Sequence, residues 1–278
     1  MKLITLIYAI LVGFITVLAT PTGQQLPPSA LRRSRLHQHH NRLKVAISKA
    51  SADDANPPAE TYNGNWAGAV LTGAGYRTVT GTITLPPLRL PAGADSNVLH
   101  AVSAWVGIDG QPACPNAILQ LGVDMYLNAS EPSYAAWIEW YPNHSTYLTD
   151  FAMLPGDRVT LNLTAPSLSS AAFTLVNHRT GQTDRASLAD QQPLLCGFSA
   201  EWMVEDFLGS NGVPLVDFGS ITFTGTKFVT DSGVTGGVAD AGLQGIREKA
   251  DGPVVVECGK VGGDGATCVY QGPGVADA

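Results

Sequence analysis

The sequence is poor in the residues and motifs on which most hydrolases depend. Charged residues make up only 14% of the 278 residues. The Gly-x-Ser-x-Gly, His-Glu-x-x-His and phosphate-loop motifs are absent. After residue 60 only His100, His144 and His178 remain, and we expect all three at the surface, at strand ends or in loops. Asp231-Ser-Gly233 is half of an aspartic-protease site, whose chemistry needs two such carboxylates, so we interpret it as a turn.

Long apolar runs are also scarce. The single such run, residues 3–18, follows Met1-Lys2 and ends near Ala19. A lone cation, a short apolar core and a small residue at its end are typical of a secretory signal peptide, predicted here as residues 1–19. At about 16 residues the run is short for a membrane anchor, which needs roughly 20. We therefore predict a secreted, extracellular protein that is not held in a membrane.

The four cysteines belong to an oxidising compartment and are expected to form two disulfides. Three pairings are open in principle. Cys258 and Cys268 flank a Gly-Gly-Asp-Gly turn, so we expect them to close that hairpin and leave Cys114 to pair with Cys196. No spacing resembles a zinc site, and no metal is predicted. Glycosylation sequons begin at the following residues: Asn128, Asn143 and Asn162.

Charge is distributed unevenly along the chain. Seven of the 16 basic residues precede residue 60, and from Glu60 onward nine basic residues face 21 acidic ones. An acidic body of this kind argues against nucleic acid as a partner. The histidines near residues 37–40 could bind a metal, but nothing beside them completes a ligand set. Residues 20–58 fit either a disordered linker or, as we favour, a basic propeptide that docks on the acidic body as its inhibitor.

The remainder, residues 59–278, is predicted to be one all-β domain. Short β-type runs alternate with Gly, Pro, Asn and Asp, and no helical stripe is present. This pattern indicates an antiparallel sandwich or jelly roll. The predicted strands cover residues 76–85, 98–108, 117–126, 134–141, 158–163, 173–177, 184–188, 194–207, 220–229, 253–258 and 267–270.

The stretch 199–207 combines three carboxylates with large apolar residues. At strand period, Glu201 and Glu205 share one face, and Trp202 and Asp206 share the other. A carboxylate beside apolar groups has a raised pKa and can exchange protons under mildly acidic conditions. From these nine residues alone we favour the other interpretation, an edge strand with solvated acids.

Four predicted strands place aromatic or polar residues together on one face. Because glycines leave room for a ligand and aromatic rings hold it, this arrangement suggests the floor of a cleft. The residues on that face are Trp105, Gly107 and Asp109; Gln120, Gly122 and Asp124; Trp137, Glu139 and Tyr141; and Glu201.

Five sequence blocks in this region resemble those of a known protein family. They are Asn65-Trp-Ala-Gly, Ala104-Trp-Val-Gly-Ile-Asp-Gly, Ala117-Ile-Leu-Gln-Leu-Gly-Val-Asp, Ala136-Trp-Ile-Glu-Trp-Tyr-Pro and Ala200-Glu-Trp-Met-Val-Glu-Asp-Phe. In this order they resemble the eqolisins, the glutamic peptidases, from about residue 62 to the C-terminus.

The resemblance implies a two-sheet, lectin-like (concanavalin-type) sandwich, a basic propeptide, activity at acidic pH and the Cys114–Cys196 disulfide. It implies that Gln120 and Glu201 are the catalytic pair. It also implies that the following residues bind substrate around the cleft: Trp66, Trp105, Asp109, Asp124, Trp137, Glu139 and Tyr141. The chain departs from the family in three places: an extra residue in the turn 111–115, a short stretch over 209–216 that lacks a cysteine pair of some members, and poor alignment over 229–252.

The chemistry of the pair can be argued on its own. Amide hydrolysis without a nucleophilic side chain needs an activated water, a donor for the oxyanion and an acid for the leaving nitrogen. Ionised Glu201 could take a proton from water and return it to the amine, a contribution of about 10²–10⁴-fold. The Gln120 amide could stabilise the oxyanion by about 3–4 kcal/mol. We therefore expect a monomeric, cofactor-free, pepstatin-insensitive acid endopeptidase that acts on polypeptides.

Two other functions fit the same residues. A glycoside hydrolase could use Glu139 and Glu201 as paired carboxylates if these lie roughly 5–9.5 Å apart. A lectin-like module could stack sugars on the aromatic rings without breaking a bond.

Overall fold

The computed structural model describes residues 61–207, 213–247 and 252–272. The predicted signal peptide and propeptide lie outside these ranges. The described residues form sixteen β-strands and one short 3₁₀ helix, Val238–Asp240. None of them belongs to a helix with the length and hydropathy of a membrane span.

The strands follow one another along the chain with few long connections. Their bounds are β1 Thr61–Asn63, β2 Trp66–Thr72, β3 Tyr76–Thr84, β4 His100–Asp109, β5 Ile118–Asn128, β6 Glu131–Tyr141, β7 Thr146–Leu148, β8 Arg158–Ser167, β9 Ser170–Asn177, β10 Thr183–Leu188, β11 Ser199–Glu205, β12 Ser220–Thr230, β13 Thr235–Gly236, β14 Gly242–Ile246, β15 Val256–Val261 and β16 Gly265–Tyr270.

The all-β, antiparallel fold predicted from the sequence is confirmed. One hydrogen-bonded path runs β10-β9-β8-β3-β12-β16-β15-β14-β2-β11-β4-β5-β6-β7. The path turns back on itself, so that β3 packs against β4 and β11, and β8 packs against β4 and β5. The two layers are thus halves of one continuous sheet, joined through β14, β15 and β16. Among the named strands, β1 and β14 form a parallel pair.

The main core lies between the two layers and follows from strand alternation. Trp202, Val106 and Leu119 project from one layer towards Ile83 and Phe223 of the other, and all five are fully buried. Burying each such side chain contributes about 1.5–3 kcal/mol before entropy costs. The opposite face of β11, β4 and β5 is therefore left for other residues, and it carries the candidate site.

Each of the eleven predicted strands is present, but five short ones were missed: β1, β2, β7, β13 and β14. The sequence of β2, Trp-Ala-Gly-Ala-Val-Leu-Thr, lacks polar alternation because both of its faces are covered. The strand predicted to start at Leu194 starts at Ser199, since the preceding residues form a loop. The edge-strand alternative is wrong, because β11 pairs with β2 and β4.

The prediction that His100 lies at the surface is also wrong. The side chain is buried at the start of β4, and its Nδ1 lies 2.9 Å from the carbonyl oxygen of Val98. Its position at a strand end was predicted correctly. Burial followed from the layer that covers β4, which the local sequence does not reveal.

Two disulfides join the described cysteines in the expected pattern. Cys258 pairs with Cys268 across the β15–β16 hairpin. Cys114 pairs with Cys196 over a sequence separation of 82 residues. The second bridge ties the turn after β4 to the loop before β11.

The three sequons occupy different settings. Asn128 and Asn143 are exposed at turns, where a glycan has room. Asn162 lies in the middle of β8, which pairs on both sides, and its Nδ2 donates to Thr80 Oγ1 at 2.6 Å. Asn162 is therefore a poor acceptor in the folded chain.

A buried carboxylate joins the loop before β8 to the end of β9. Asp157 accepts hydrogen bonds from Arg179 Nε and Nη2, from Asn177 Nδ2 at 2.8 Å and from the backbone N–H of Leu154 at 3.0 Å. The guanidinium of Arg179 is the largest of the effects that lower the pKa of Asp157 to about 2. This ion pair accordingly persists in moderately acidic solution.

Candidate active site

Strand register brings the predicted catalytic pair into one transverse row. Val70 of β2 lies opposite Glu201 of β11, which lies opposite Gly107 of β4. Gly107 in turn lies opposite Gln120 of β5, and Gln120 lies opposite Glu139 of β6. All of these positions are on the face turned away from the main core. The row therefore places a carboxyl group and an amide on either side of a glycine.

Gly107 separates the two side chains in this row. Adjacent strands are about 4.8 Å apart, so the backbones of Glu201 and Gln120 are separated by about 10 Å. A Cβ at Gly107 would lie 2.7 Å from Trp105 Cζ3 and 3.1 Å from the carbonyl oxygen of Leu119. The Trp105 indole and the Leu119 backbone thus already occupy the space above Gly107, and the position excludes any side chain.

The Glu201 side chain is fully buried, and within the described residues only one of its two oxygens accepts a hydrogen bond. It has no exposed surface, and its Oε1 accepts a hydrogen bond of 2.8 Å from Ser199 Oγ. Oε2 has no hydrogen-bond partner among the described residues. Burial raises the pKa of Glu201 to about 8, with a smaller upward contribution from Asp109, while the Ser199 hydroxyl and the Gln111 amide oppose the shift.

Within the described structure, Gln120 has a buried hydrogen-bond donor without a partner, whereas Glu201 has a buried acceptor without one. The side chain is 2% exposed, and its Nε2 has no hydrogen-bond partner in the described part of the chain. Buried donors and acceptors without partners are uncommon in folded proteins and need an explanation. Here the donor without a partner on Gln120 and the acceptor without a partner on Glu201 belong to residues on either side of Gly107.

Aromatic residues surround this row. Trp105 and Trp137 lie on either side of Gly122 in the next row, both fully buried. Trp66 packs edge-to-face on Trp105 with ring centroids 5.3 Å apart. Tyr141 is half-buried against the same cluster. The predicted aromatic residues of the cleft therefore come together.

Asp109 has partners that sequence reasoning did not anticipate. Its two oxygens accept hydrogen bonds from the backbone N–H groups of Cys196, Gly197 and Phe198 at 2.7–2.8 Å. Asp109 thus holds the loop that leads into β11. Its carboxylate is occupied by the protein, so a substrate would reach it only by displacing these bonds.

Asp109 also belongs to the one group of possible metal ligands found among the described residues. Its carboxylate lies near the sulfurs of Cys114 and Cys196. Those sulfurs are bonded to each other, and the carboxylate is fully engaged. The cluster is a structural brace.

Asp124 lies at the far end of the cleft face. Its Oδ2 accepts hydrogen bonds of 2.7 Å from both Tyr126 and Tyr147. Glu205, two strands away across Ser103, accepts one of 2.9 Å from Trp105 Nε1. Tyr126, Tyr147 and Glu205 were not predicted as part of the site, and only three-dimensional pairing reveals them.

The site is closed, where the sequence predicted an open groove. Glu201, Gln120 and Glu139 are 0%, 2% and 1% exposed, and every residue of β4 is buried on both faces. The strands alone do not impose this, because the three side chains lie outside the main core. Residues outside the main core therefore cover the row that contains Glu201, Gln120 and Glu139.

The register also bears on the paired-carboxylate alternative. Glu139 and Glu201 are three strands apart, so their backbones are separated by about 14 Å. Gln120 lies between them in the row. The nearer partner of Glu201 is thus an amide.

Comparison with known proteins agrees with this geometry. Residues 64–270 match the peptidase A4 family. Aspergillopepsin-2 of Aspergillus niger is 39% identical over 227 residues, which cover 76% of this chain and 79% of that protein. Scytalidopepsin B of Scytalidium lignicola is 34% identical over 244 residues, covering 84% and 88%.

A solved structure shows the same fold. Scytalido-glutamic peptidase, crystallised with a peptide-based transition state analog, superposes with a TM-score of 0.62 at 33% identity. The match covers 74% of this chain and 98% of that one. These relatives favour peptide hydrolysis over the two sugar-directed alternatives.

Proposed function

The chain belongs to the peptidase A4 (eqolisin) family of glutamic peptidases, and we propose that Glu201 and Gln120 carry out its peptide-bond hydrolysis. The observation that supports this most is the row in which the two side chains flank Gly107. Glu201 Oε2 and Gln120 Nε2 are both buried, and neither forms a hydrogen bond within the described residues. A water molecule and a scissile carbonyl supply the groups that these atoms lack.

In the proposed mechanism Gln120 acts through hydrogen bonding. Its Nε2 donates to the carbonyl oxygen as negative charge develops there, and its Oε1 can accept from the attacking water. Removing one such oxyanion donor in other hydrolases lowers kcat by about 10²–10³-fold. Because an amide does not titrate, this role is independent of pH.

Glu201 moves the protons. In ionised form it takes a proton from the water as the water attacks, and it then gives that proton to the leaving nitrogen. With its pKa raised to about 8 by burial, however, Glu201 in the closed site is protonated under acidic conditions. Because lost hydration is the main cause, admitting water lowers the pKa again. We therefore propose that water enters the site before Glu201 acts as a base.

We also propose that the chain is made as an exported precursor whose basic leader, residues 20–58, inhibits the site. From Glu60 onward the chain has 21 acidic against nine basic residues, so its net charge is opposite to that of the leader. Carboxylates attract a basic segment while they are ionised and release it as they become protonated. The leader would thus link activation to acidification.

Polypeptides are the proposed substrates. The relative with a peptide-based transition state analog is covered almost completely by this chain. The aromatic residues Trp66, Trp105, Trp137 and Tyr141 line the face on which an extended chain would lie. We propose that Glu139, opposite Gln120 at the end of the row, contacts the substrate next to the scissile bond.

Digestion of a denatured protein at about pH 3, with and without pepstatin, tests this function. We expect cleavage that ignores the inhibitor and that disappears in both Glu201→Gln and Gln120→Ala. Glu131→Gln, at an exposed position of β6, is the matched control and should cleave normally. Cleavage by Glu201→Gln at the wild-type rate would contradict the proposal.

The precursor is tested separately. N-terminal sequencing of the secreted protein should find the mature chain starting near residue 59. A synthetic peptide of residues 20–58 should inhibit it at neutral pH and lose potency in acid. Secretion with residues 20–58 still attached and full activity would contradict the inhibitory role.

A further inference from the structure

Neutral hydrogen-bond donors lie beside the Glu201 carboxyl group. Ser199 precedes Glu201 by two residues on β11, so its side chain is on the same face. It is 2% exposed, and its Oγ donates to Oε1 at 2.8 Å. This bond fixes one oxygen of the carboxyl group, Oε1.

The second donor comes from the turn that follows β4. Burial is the largest influence on the pKa of Glu201 and raises it, whereas the Ser199 hydroxyl and then the Gln111 amide lower it. Gln111 Nε2 and Glu201 Oε2 are both buried, and neither has a well-aligned partner among the described residues. The Gln111 amide is thus a hydrogen-bond donor available to Glu201, and Glu201 Oε2 is an acceptor available to it.

A chain of amides fixes the orientation of Gln111. Gln244 of β14 donates from Nε2 to Gln111 Oε1 at 3.3 Å, and Asn63 of β1 donates from Nδ2 to Gln244 Oε1 at 3.3 Å. Asn63 Oδ1 in turn accepts from the backbone N–H groups of Asn65 and Trp66 at 2.9 and 2.6 Å. Because the oxygen of each amide is occupied, its nitrogen must donate to the next group. The chain therefore occupies Gln111 Oε1 and leaves its Nε2 as the atom available to Glu201, whose pKa the Gln111 amide lowers.

We propose that Ser199 and Gln111 are positioning residues that hold the two oxygens of Glu201, and that Gln244 and Asn63 set the orientation of Gln111. This rests on the proposed catalytic role of Glu201. Ser199 keeps Oε1 away from the reaction, and Gln111 keeps Oε2 in the orientation that faces water. None of the four groups titrates, so the arrangement stays intact through acidification.

The charged groups that face Glu201 lie on other elements. Asp109, at the end of β4, raises the pKa of Glu201 by charge repulsion. Glu139 of β6 shares the transverse row. Substitutions at Ser199 or Gln111 leave both carboxylates in place, so their effects report the loss of the donor.

Steady-state kinetics across pH test the proposal on the processed enzyme. Ser199→Ala and Gln111→Ala should each lower kcat about tenfold with little change in KM. The limb of the profile that reports ionisation of Glu201 should move up by about one pH unit, since a donor to the ionised form is lost. Gln244→Ala should shift it in the same direction by less. Ser199→Thr, which keeps a hydroxyl, should restore both values.

Gln182→Ala is the control. Gln182 also makes a single side-chain hydrogen bond, to the carbonyl oxygen of Asp150, but in an exposed loop. The Gln182→Ala variant should leave kcat, KM and the limb of the pH profile that reports Glu201 ionisation unchanged. A fall in kcat for Gln111→Ala and Ser199→Ala without displacement of the limb would indicate a structural role only and overturn the proposal.

A direct titration separates this proposal from the catalytic one. Carbon NMR of glutamate-labelled full-length protein, with the Glu201 signal assigned by its loss in Glu201→Gln, gives the pKa without any activity. A higher pKa in Ser199→Ala and Gln111→Ala supports positioning even if Glu201 proves not to be catalytic. An unchanged pKa in both contradicts it even if Glu201 is catalytic.

Discussion

The raised pKa of Glu201 makes a quantitative prediction about stability. The pKa is about 8 in the folded chain against a reference value of 4.5, with burial as the main cause. Between these values the folded chain keeps a proton that the unfolded chain has lost. The free energy of unfolding therefore falls as pH rises, by about 1.4 kcal/mol per pH unit from this group alone. The full loss by about pH 8 is about 5 kcal/mol.

In the Glu201→Gln variant the free energy of unfolding should no longer fall with rising pH on account of this residue. Its amide resembles the protonated acid in shape and stays neutral at every pH. Relative to the wild type, the variant should gain about 3 kcal/mol of unfolding free energy between about pH 5 and 7.5. At about pH 4.5 and below, the two proteins should be nearly equal, because both then have a neutral group at this position.

Urea denaturation of the full-length protein at several pH values measures this difference. Intact mass is checked at each pH to exclude self-cleavage, and Glu131→Gln serves as the exposed control. Taking the difference between variant and wild type cancels the titration of all other groups. A difference that stays constant from about pH 5 to 7.5 would refute the claim that burial keeps Glu201 protonated.

Three further predictions concern the surroundings of the site. Gly107→Ala places a methyl group 2.7 Å from Trp105 Cζ3, so the indole must shift and kcat/KM should fall about a hundredfold while far-UV circular dichroism stays unchanged; a normal rate would show that the packing of Trp105 on Gly107 does not position the catalytic pair. Asp157→Asn should cost about 2 kcal/mol by weakening the bonds from Arg179. Because the pKa of Asp157 is lowered, this stabilisation is present above about pH 4 and is lost as pH falls through about 2, where unfolding of variant and wild type should coincide. Replacing Cys114 and Cys196 by serine opens a loop of 82 residues, which should cost about 4.5 kcal/mol and raise KM, measured by urea denaturation and peptide kinetics; unaltered kinetics would mean that the loop before β11 needs no anchor.

Most of the fold could be predicted from the two-residue alternation of side chains along strands and from the residues that form turns. The period of two placed Glu201 and Gln120 on the faces that they occupy, and the Gly-Gly-Asp-Gly turn located the Cys258–Cys268 hairpin. Strand β2 was missed because Ala, Gly and Val on both faces leave no polar signal. Propensity and period describe a segment by itself, so segments buried on both faces are the hardest to recognise.

Register and long-range hydrogen bonds could not be predicted. That Gly107 stands between Glu201 and Gln120 depends on how three strands align, although each strand was recognised. The three backbone amides on Asp109 come from residues 87–89 positions later in the chain. The bond from Gln244 to Gln111 spans 133 positions. Such contacts depend on the assembled sheet and leave no mark in local sequence.

A double-mutant cycle on peptide hydrolysis tests the central claim most directly. The account holds that Glu201 and Gln120 act on one water molecule as a unit. Glu201→Gln and Gln120→Ala should then each lower kcat by about 10²-fold or more, and the double variant should be less than about tenfold worse than the weaker single one. Two losses that simply multiply, or a Glu201→Gln enzyme within tenfold of the wild type, would contradict it.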